Sequence, residues 1–238
     1  AGCSPRARRA LPAGDRRDDR DLVAGLQRGA EAGEEADILA VDVDVHEAAQ
    51  RPALVAEPLA HPRVAALEVA DQLLEGRALA LDAPTEYARV TDDPSLDISQ
   101  DVTLAAWVRP GLVGAQRLVD KEGASSGYSL FLDPSGTFAV RFNGSDLERV
   151  DSATLYSSRL DEWIHVAATY DGATMRMYIN GVEERSIPGP PSIAANLLDV
   201  GLGAQSDGAR KYRGHLDDVR IYRRALSESE IEIGRAHV

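Results

Sequence analysis

Residues 163–187 constrain the fold of this chain more than any other stretch, because they predict three antiparallel strands joined by two tight turns. One face of the first strand carries Ile164, Val166, Ala168 and Tyr170, an alternation typical of a pleated strand. The turns contain Asp171-Gly172 and Asn180-Gly181, which favour type I′ geometry because Asp, Asn and Gly tolerate positive φ. A sheet with one apolar face needs a second layer to cover it, so the remaining sequence must supply one.

Short alternating segments separated by Gly, Pro, Asn and Asp turns continue on both sides of this stretch. The further strands are predicted at 79–81, 86–91, 102–109, 117–121, 128–132, 137–142, 147–156, 196–201 and 212–222. This spacing indicates an all-β fold, a two-sheet antiparallel sandwich. Ser227 with Glu230 three residues later is a capping-box pattern, which predicts a short helix starting near Glu228.

The first 76 residues differ in composition from the rest. All twelve aromatic residues lie at or after Tyr87, and a segment without aromatic residues makes a weak core. We therefore predict that residues 1–76 are disordered, loosely helical at 21–27 and 65–75, or a gene-calling artefact, and that 41–45 alternates like a strand without an obvious partner. The folded domain is predicted at 77–231, and 232–238 is predicted to be a non-native or disordered tail.

Charge and cysteine content exclude several functions. The formal net charge of −13 argues against a nucleic-acid partner, because binding a polyanion requires clustered Lys and Arg. No run approaches the roughly 20 apolar residues of a membrane-spanning helix. The single cysteine, Cys3, excludes an intramolecular disulfide; it either follows a lipoprotein signal or occurs by chance. Because the sequence begins at Ala1 rather than Met, we expect an upstream piece such as a signal peptide.

Six phrases of the sequence stand together in a recognisable order: ALALDAPTEYARVTDDPSLD, DVTLAAWVRP, LVDKEG, GYSLFLD, DEWIHVAATYDGATMRMYINGV and GHLDDVRIYRRALSESEI. Over residues 77–231 the chain resembles the bacterial laminin-G-like, concanavalin A-like jelly-roll domains. The resemblance implies a jelly-roll sandwich of about a dozen strands within a larger secreted or surface-attached protein, where such modules bind glycans or proteins and often hold structural calcium. The hairpin-bridging cysteines of many members are absent here.

Asp217 is the polar residue that the strand pattern singles out. It lies on the same strand face as Val219 and Ile221, so its carboxylate is predicted to point inward. There a cation or several hydrogen-bond donors must offset desolvation. The resemblance implies that acids on the first and last strands hold calcium, which assigns Asp82 and Asp217, with carbonyls near Ala83 and water completing the site. The alternatives are an ion pair with an arginine or the capping of backbone amides.

No catalytic residues are predicted. Gly123–Gly127 matches the GxSxG pattern of serine hydrolases, but it lies between two strands rather than on a strand-to-helix turn, so it is interpreted as a hairpin loop. Glucanases of this architecture carry alternating acids on one strand, whereas Glu183 and Glu184 are adjacent and point to opposite faces. His165 is interpreted as a packed strand residue.

These observations predict a non-catalytic extracellular recognition module that binds a glycan or protein ligand at its loop rim. A purely structural spacer or adhesion domain is the second hypothesis, and a glycoside hydrolase-related enzyme is the third. The predicted roles of the aromatic side chains follow from position: structural for Trp107 and Trp163 inside strands, and at a binding rim for Tyr128, Tyr156 and Tyr212 near strand ends. The ligand-binding residues themselves are not assigned.

Overall fold

Two antiparallel sheets form the protein, whose computed structural model describes residues 44–45 and 78–235. The strands are β1 Asp44–Val45, β2 Leu79–Leu81, β3 Ala88–Val90, β4 Val102–Pro110, β5 Gln116–Asp120, β6 Tyr128–Leu132, β7 Thr137–Phe142, β8 Arg149–Leu155, β9 Ile164–Tyr170, β10 Thr174–Ile179, β11 Val182–Pro188, β12 Val200–Leu202 and β13 Gly214–Tyr222, followed by helix α1 Glu228–Arg235. The seven-stranded sheet has the order β1-β3-β12-β5-β6-β7-β8, and the six-stranded sheet has the order β11-β10-β9-β4-β13-β2. The predicted two-sheet sandwich is confirmed.

The core lies between the two sheets and consists of the inward residue of each alternating pair. The six-stranded sheet contributes residues such as Leu104, Val166 and Met177, and the seven-stranded sheet contributes residues such as Leu130 and Val140. All five side chains are 0–1% exposed. Burial of these side chains is the main force that holds one sheet against the other.

The predicted meander is confirmed as β9, β10 and β11, and its predicted inward face is part of the core. At the β10–β11 turn both Asn180 and Gly181 have positive φ, 51° and 82°, as type I′ geometry requires. The β9–β10 turn differs from the prediction, because Gly172 has positive φ and Asp171 does not. Instead, Asp171 Oδ1 accepts the backbone N–H groups of Ala173 and Thr174, so a side-chain contact stabilises this turn.

Helix α1 covers part of the outer face of the six-stranded sheet. The capping box is confirmed, since the Ser227 N–H donates to Glu230 Oε2 over 2.8 Å and the Glu230 N–H donates to Ser227 Oγ over 3.4 Å. Ile231 and Leu226 pack on a second apolar cluster with Ala105, Ala167, Tyr178 and Tyr222. The helix ends at Arg235, four residues beyond the predicted domain end.

The strand-like segment predicted at 41–45 contains β1 in the structure. Asp44–Val45 pairs antiparallel with Ala88–Val90 at the edge of the seven-stranded sheet, so the segment predicted at 41–45 without a partner has one. The predicted helical pieces at 21–27 and 65–75, the Cys3 motif and residues 236–238 lie outside the described residues. Within the described part of the chain, no helix has the length and apolarity needed to cross a bilayer.

Candidate functional site

The outer face of the seven-stranded sheet is polar and carries one buried aromatic ring. In β6, Leu130 and Leu132 point into the core, so Phe131 between them points outward. Three arginine side chains from β5, β7 and β8 surround this ring: the Cζ atoms of Arg117, Arg149 and Arg141 lie 4.5, 5.1 and 5.5 Å from its centroid. Guanidinium groups at this distance from an aromatic ring make favourable cation–π contacts.

Carboxylates hold two of these arginines in place. Arg141 makes a bidentate ion pair with Glu122: Nε donates to Oε1 over 2.8 Å and Nη2 donates to Oε2 over 2.5 Å. Its third nitrogen, Nη1, donates to Asp146 Oδ1 over 3.0 Å. Arg149 Nη2 donates to Asp133 Oδ2 over 2.7 Å. Such charge-assisted pairs fix the guanidinium planes, so the arginines form a rigid surface.

Arg117 and Asp120 form an ion pair that is almost fully buried. Arg117 Nε donates to Asp120 Oδ2 over 2.8 Å, and both side chains are 1% exposed. Burial raises the pKa of Asp120 to about 6, although the hydroxyl of Ser129 and the charge of Arg117 act in the opposite direction. Burial also lowers the pKa of Arg117, against the charge of Asp120. Desolvation of the pair therefore outweighs the mutual attraction of the two charges.

A cavity of about 280 Å³ opens on this face, and we call it the arginine pocket. Its lining is Ala115, Arg117, Phe131, Leu132, Asp133, Pro134, Arg141, Arg149 and Arg210. Arg210 comes from the loop between β12 and β13, where it has a φ of 50° and an exposed side chain. The Arg117 N–H donates to the Arg210 carbonyl over 3.0 Å, which fixes this loop beside β5.

The lining of the arginine pocket combines hydrogen-bond donors with apolar surface. Four arginines offer N–H donors, and Phe131 and Pro134 provide an apolar wall. Asp133 is the carboxylate in the lining; although burial alone would raise its pKa, hydrogen bonds from Ser135 and Arg149 hold that pKa below its usual value. A carboxylate held ionised in this way is a poor general acid.

A second polar cluster lies at the end of the sandwich where the loops β3–β4 and β11–β12 meet β5. The ammonium group of Lys121, whose side chain is 1% exposed, contacts five oxygen atoms, and we call this set the lysine cage. They are Asp92 Oδ1 at 2.5 Å, Leu198 O at 2.7 Å, Asn196 O at 3.1 Å, Asp97 Oδ1 at 3.3 Å and Asn196 Oδ1 at 3.4 Å. Lys121 therefore ties both loops to the seven-stranded sheet.

Asp82 and Asp217, the predicted calcium ligands, are not brought together. In the pairing of β2 with β13, Leu81 lies opposite Gly214. The same register places Asp82 beside Arg213, four residues and about 13 Å along the strand from Asp217. This separation does not fit one calcium ion bound by both carboxylates, because Ca–O distances are about 2.4 Å. Among the described residues, no group of three or more His, Cys, Asp and Glu side chains has the arrangement of a metal site.

The predicted inward orientation of Asp217 is wrong, and a β-bulge is the reason. The pairing of β13 with β4 shifts register between Asp217 and Arg220, and Asp218 has a φ of 46°. The extra residue reverses the alternation, so Leu216 and Val219 both point into the core. Asp217 Oδ1 accepts the N–H of Asp218 over 2.9 Å, which is the backbone-capping alternative.

The aromatic residues proposed for the rim are core residues instead. Tyr128, Tyr156 and Tyr212 are 0–1% exposed, and their hydroxyls donate to backbone carbonyls. Trp107 packs against His165 on the outer face of the six-stranded sheet, with ring centroids 5.5 Å apart. This contact agrees with the structural role predicted for both residues. Trp163 precedes β9, keeps 38% of its surface exposed and contacts His215 edge-on.

The GxSxG segment forms the predicted loop between β5 and β6. A single bridge pairs Gly123 with Ser126, and Ser126 Oγ accepts a hydrogen bond from Asn196 Nδ2 over 3.2 Å. This loop joins two strands, so the strand-to-helix turn that activates a nucleophilic serine is not formed here.

Sequence reasoning missed the arginine pocket because its residues come from five separate segments. One signal was available: Phe131 and Arg141 each occupy the outward position of an alternating strand between two apolar residues, and Arg117 precedes the apolar Leu118. The strand order β5-β6-β7-β8 then places these outward residues on one surface.

Residues 82–232 match a laminin G family described as the concanavalin A-like lectin/glucanases superfamily. Among curated proteins, the chain is 25% identical to adhesion G-protein coupled receptor V1 of Danio rerio over 165 residues and 25% identical to usherin of Homo sapiens over 146 residues. These matches cover 62% and 58% of this chain, whereas the chain spans 3% of the length of each relative.

Solved structures show the same fold. Domain 4 of AbnA, a GH43 extracellular arabinanase from Geobacillus stearothermophilus, in complex with arabinotriose, is 22% identical with a TM-score of 0.53, and the match covers 67% of this chain and 77% of that one. A second structure is of botulinum neurotoxin type C, whose cell entry depends on interaction with two ganglioside molecules. It is 14% identical with a TM-score of 0.52, and the match covers 67% of this chain and 42% of that one. At these identities the likeness is one of fold alone.

Proposed function

Because the chain belongs to the concanavalin A-like lectin/glucanases superfamily, we propose that it is a non-catalytic recognition module that binds a carbohydrate in the arginine pocket. The observation that carries this proposal is the pocket itself, which combines four arginines with a wall of Phe131 and Pro134. Sugar hydroxyls accept hydrogen bonds from guanidinium groups, and the C–H faces of a sugar ring pack on apolar wall. The similar arabinanase domain was solved with arabinotriose, which supports a carbohydrate as ligand.

The mechanism of recognition is rigid display. The ion pairs of Arg141 and Arg149 fix the donors before a ligand arrives, so little side-chain entropy is lost on binding. The sandwich core holds β5 to β8 in one geometry, and the pocket lies on that surface rather than on a flexible tip. The chain spans 3% of the length of each of these two relatives, which supports a place as one module of a larger protein. We propose that this protein is secreted or surface-attached and bacterial, as the resemblance of the sequence implies.

A blocking variant tests where the carbohydrate binds. Ala115 is exposed and lines the pocket, so Ala115→Trp should fill the cavity without removing any ion pair. We expect a glycan that binds the wild-type protein on a glycan array to lose at least about tenfold in affinity with this variant. The matched control is Ala195→Trp, which adds the same side chain to an exposed position in the β11–β12 loop.

The outcomes separate this proposal from the alternatives. Loss of binding with Ala195→Trp and not with Ala115→Trp would move the site to the loop rim. Background binding to all glycans would favour a protein ligand or a structural spacer.

The enzyme hypothesis has one structural observation in its favour. Asp120 is the last residue of β5 and Glu122 follows it by two residues, a spacing like that of the acids of some glucanases. Both carboxylates are engaged by arginines, through Arg117 and Arg141, which argues against a free nucleophile. Release of reducing ends from a polysaccharide panel would support the enzyme over the binding module.

Calcium binding stays a separate prediction, and we propose Asp82 or Asp217, each taken singly, as the ligand. An ion that binds only the folded state raises the melting temperature, so chelation with EDTA should lower it and added calcium should restore it. The Asp217→Asn variant tests one ligand and Asp82→Asn tests the other. An unchanged melting temperature in EDTA would remove both residues as calcium ligands.

A further inference from the structure

Arg210 differs from the other three arginines of the pocket in its contacts. Arg141 uses all three guanidinium nitrogens on Glu122 and Asp146, and Arg149 uses two on Asp133 and Asp151. Within the part of the chain that the structure describes, Arg210 has no carboxylate within ion-pair distance. Its guanidinium therefore offers free N–H donors at the open side of the pocket.

Arg117 and Arg210 are like charges that the backbone holds side by side. The Arg117 N–H donates to the Arg210 carbonyl over 3.0 Å, and both side chains line the same cavity. Burial is the largest cause of the lowered pKa of Arg117, and the charge of Arg210 contributes to it. An anionic group between the two guanidiniums would remove this repulsion and accept hydrogen bonds from both.

The attraction of an anionic group is confined to the pocket. With a formal net charge of −13, the protein as a whole repels anions at long range. In the cavity the other three arginines are paired with carboxylates, those of Asp120, Glu122, Asp133, Asp146 and Asp151. Among the described residues of the lining, the positive charge without a carboxylate partner is that of Arg210. An acid that binds here would be selected by the pocket and not by the general field of the protein.

We propose that the arginine pocket takes a saccharide that carries a carboxylate, such as a hexuronic acid, with Arg210 and Arg117 binding that group. The sugar ring lies on the wall of Phe131 and Pro134. This inference rests on the proposed carbohydrate function and names its ligand class. The cavity of about 280 Å³ lies near the lower limit of about 300 Å³ for small-molecule sites, which suits one sugar ring more than a long chain.

Glucuronate and glucose are the matched probes, because they differ only at C6, which is a carboxylate in glucuronate and a hydroxymethyl group in glucose. In a protein-observed NMR titration at low salt, we expect glucuronate to bind at least about tenfold more tightly than glucose, with the largest shifts at pocket residues. Acetate and inorganic sulfate, titrated in parallel, measure the affinity of an anion without the sugar ring, and both should bind more weakly than glucuronate.

Arg210→Gln should lower the affinity for glucuronate to that for glucose. Because the Arg210 side chain is exposed and unpaired within the described part, the melting temperature of this variant should match the wild type. The control is Arg185→Gln, an exposed arginine on β11 of the other sheet, which should leave both affinities unchanged.

Each contrary result has a distinct meaning. Equal affinities for glucuronate and glucose at the pocket would overturn the acid preference and leave carbohydrate binding in place. A preference that survives Arg210→Gln would remove Arg210 as the selecting residue. Failure of every saccharide to shift pocket residues would overturn the proposed function together with this inference, and acetate or sulfate binding as tightly as glucuronate would show that the sugar ring plays no part.

Discussion

Replacing Arg117 with methionine is expected to lower the free energy of unfolding by about 3–5 kcal/mol at pH 8, the usual cost of removing one partner from a buried ion pair. The substitution keeps much of the side-chain volume but leaves Asp120 buried, with Ser129 donating to its Oδ2 atom over 2.8 Å. Contact with the Phe131 ring is partly retained, so lost packing adds little. The expected loss therefore comes chiefly from an uncompensated carboxylate.

The loss should depend on pH, and its sign follows from the pKa of Asp120. In the folded protein burial raises this pKa from 3.8 to about 6, so the folded state binds the proton more tightly than the unfolded chain. The stability that this group contributes is therefore fully present below about pH 4 and is lost as pH rises to about 6. Without Arg117 the pKa of Asp120 should rise further, so the difference between variant and wild type should grow from pH 5 to pH 8.

Urea unfolding at pH 5, 6.5 and 8 measures this difference directly. The control is the double variant Arg117→Met/Asp120→Asn, which removes the titrating group and should make the difference from wild type much less dependent on pH. Asp133, whose partner Arg149 is unchanged, titrates alike in all three proteins and cancels. A difference of the same size at every pH would show that lost packing, and not the unpaired charge, accounts for the destabilisation.

Local sequence was sufficient to predict most of this fold. Strand alternation and turn dipeptides act over two to four residues, which is why β6, β7 and the β9–β11 meander were located within a residue or two. The capping box at Ser227 is likewise a local interaction, and the structure confirms it. Closure into two sheets followed because each predicted strand had one apolar face that needed a partner layer.

The errors in the sequence interpretation have a common physical origin in register and pairing. The bulge between Asp217 and Arg220 inserts one residue, so Val219 and Ile221 point into the core as predicted, whereas Asp217, on the other side of the insertion, does not. Tyr128 and Tyr212 lie near strand ends, where sequence predicts exposure, but their hydroxyls reach backbone carbonyls inside the sandwich. The arginine pocket depends on which strands are neighbours, and periodicity within one strand carries no information about that order.

The lysine cage shows the same dependence on distant segments, since Lys121 contacts oxygens from 24 to 77 residues away in sequence. Its two acids, Asp92 and Asp97, lie in the β3–β4 loop, and the carbonyls of Asn196 and Leu198 lie in the β11–β12 loop. Sequence periodicity marked Lys121 only as the end of a predicted strand. The structure gives it the role of a central cation that neutralises two carboxylates and binds three further oxygens.

Lys121→Met is accordingly expected to lower the free energy of unfolding by about 3 kcal/mol, the lower end of the range for a broken buried ion pair. The lower end applies because Asp92 and Asp97 keep 21% and 23% of their side-chain surface exposed, so water partly solvates them. Methionine has nearly the length of lysine, so the packing of the aliphatic stem is preserved.

Lys211→Met is the matched control, because it changes the other lysine of the chain. The Lys211 ammonium donates to the carbonyl of Gly208 and lies 5.4 Å from the centre of the Tyr87 ring, and no carboxylate depends on it among the described residues. We expect a loss below about 1 kcal/mol for this variant. Amide hydrogen exchange separates the two by location: in Lys121→Met, protection should fall first in loops 91–101 and 189–199, because the ammonium is the contact they share. Equal losses for both variants, or unchanged exchange in those loops, would mean that the two loops are held by their own hydrogen bonds, such as that from the Asp92 N–H to Asp199, and not by the buried cation.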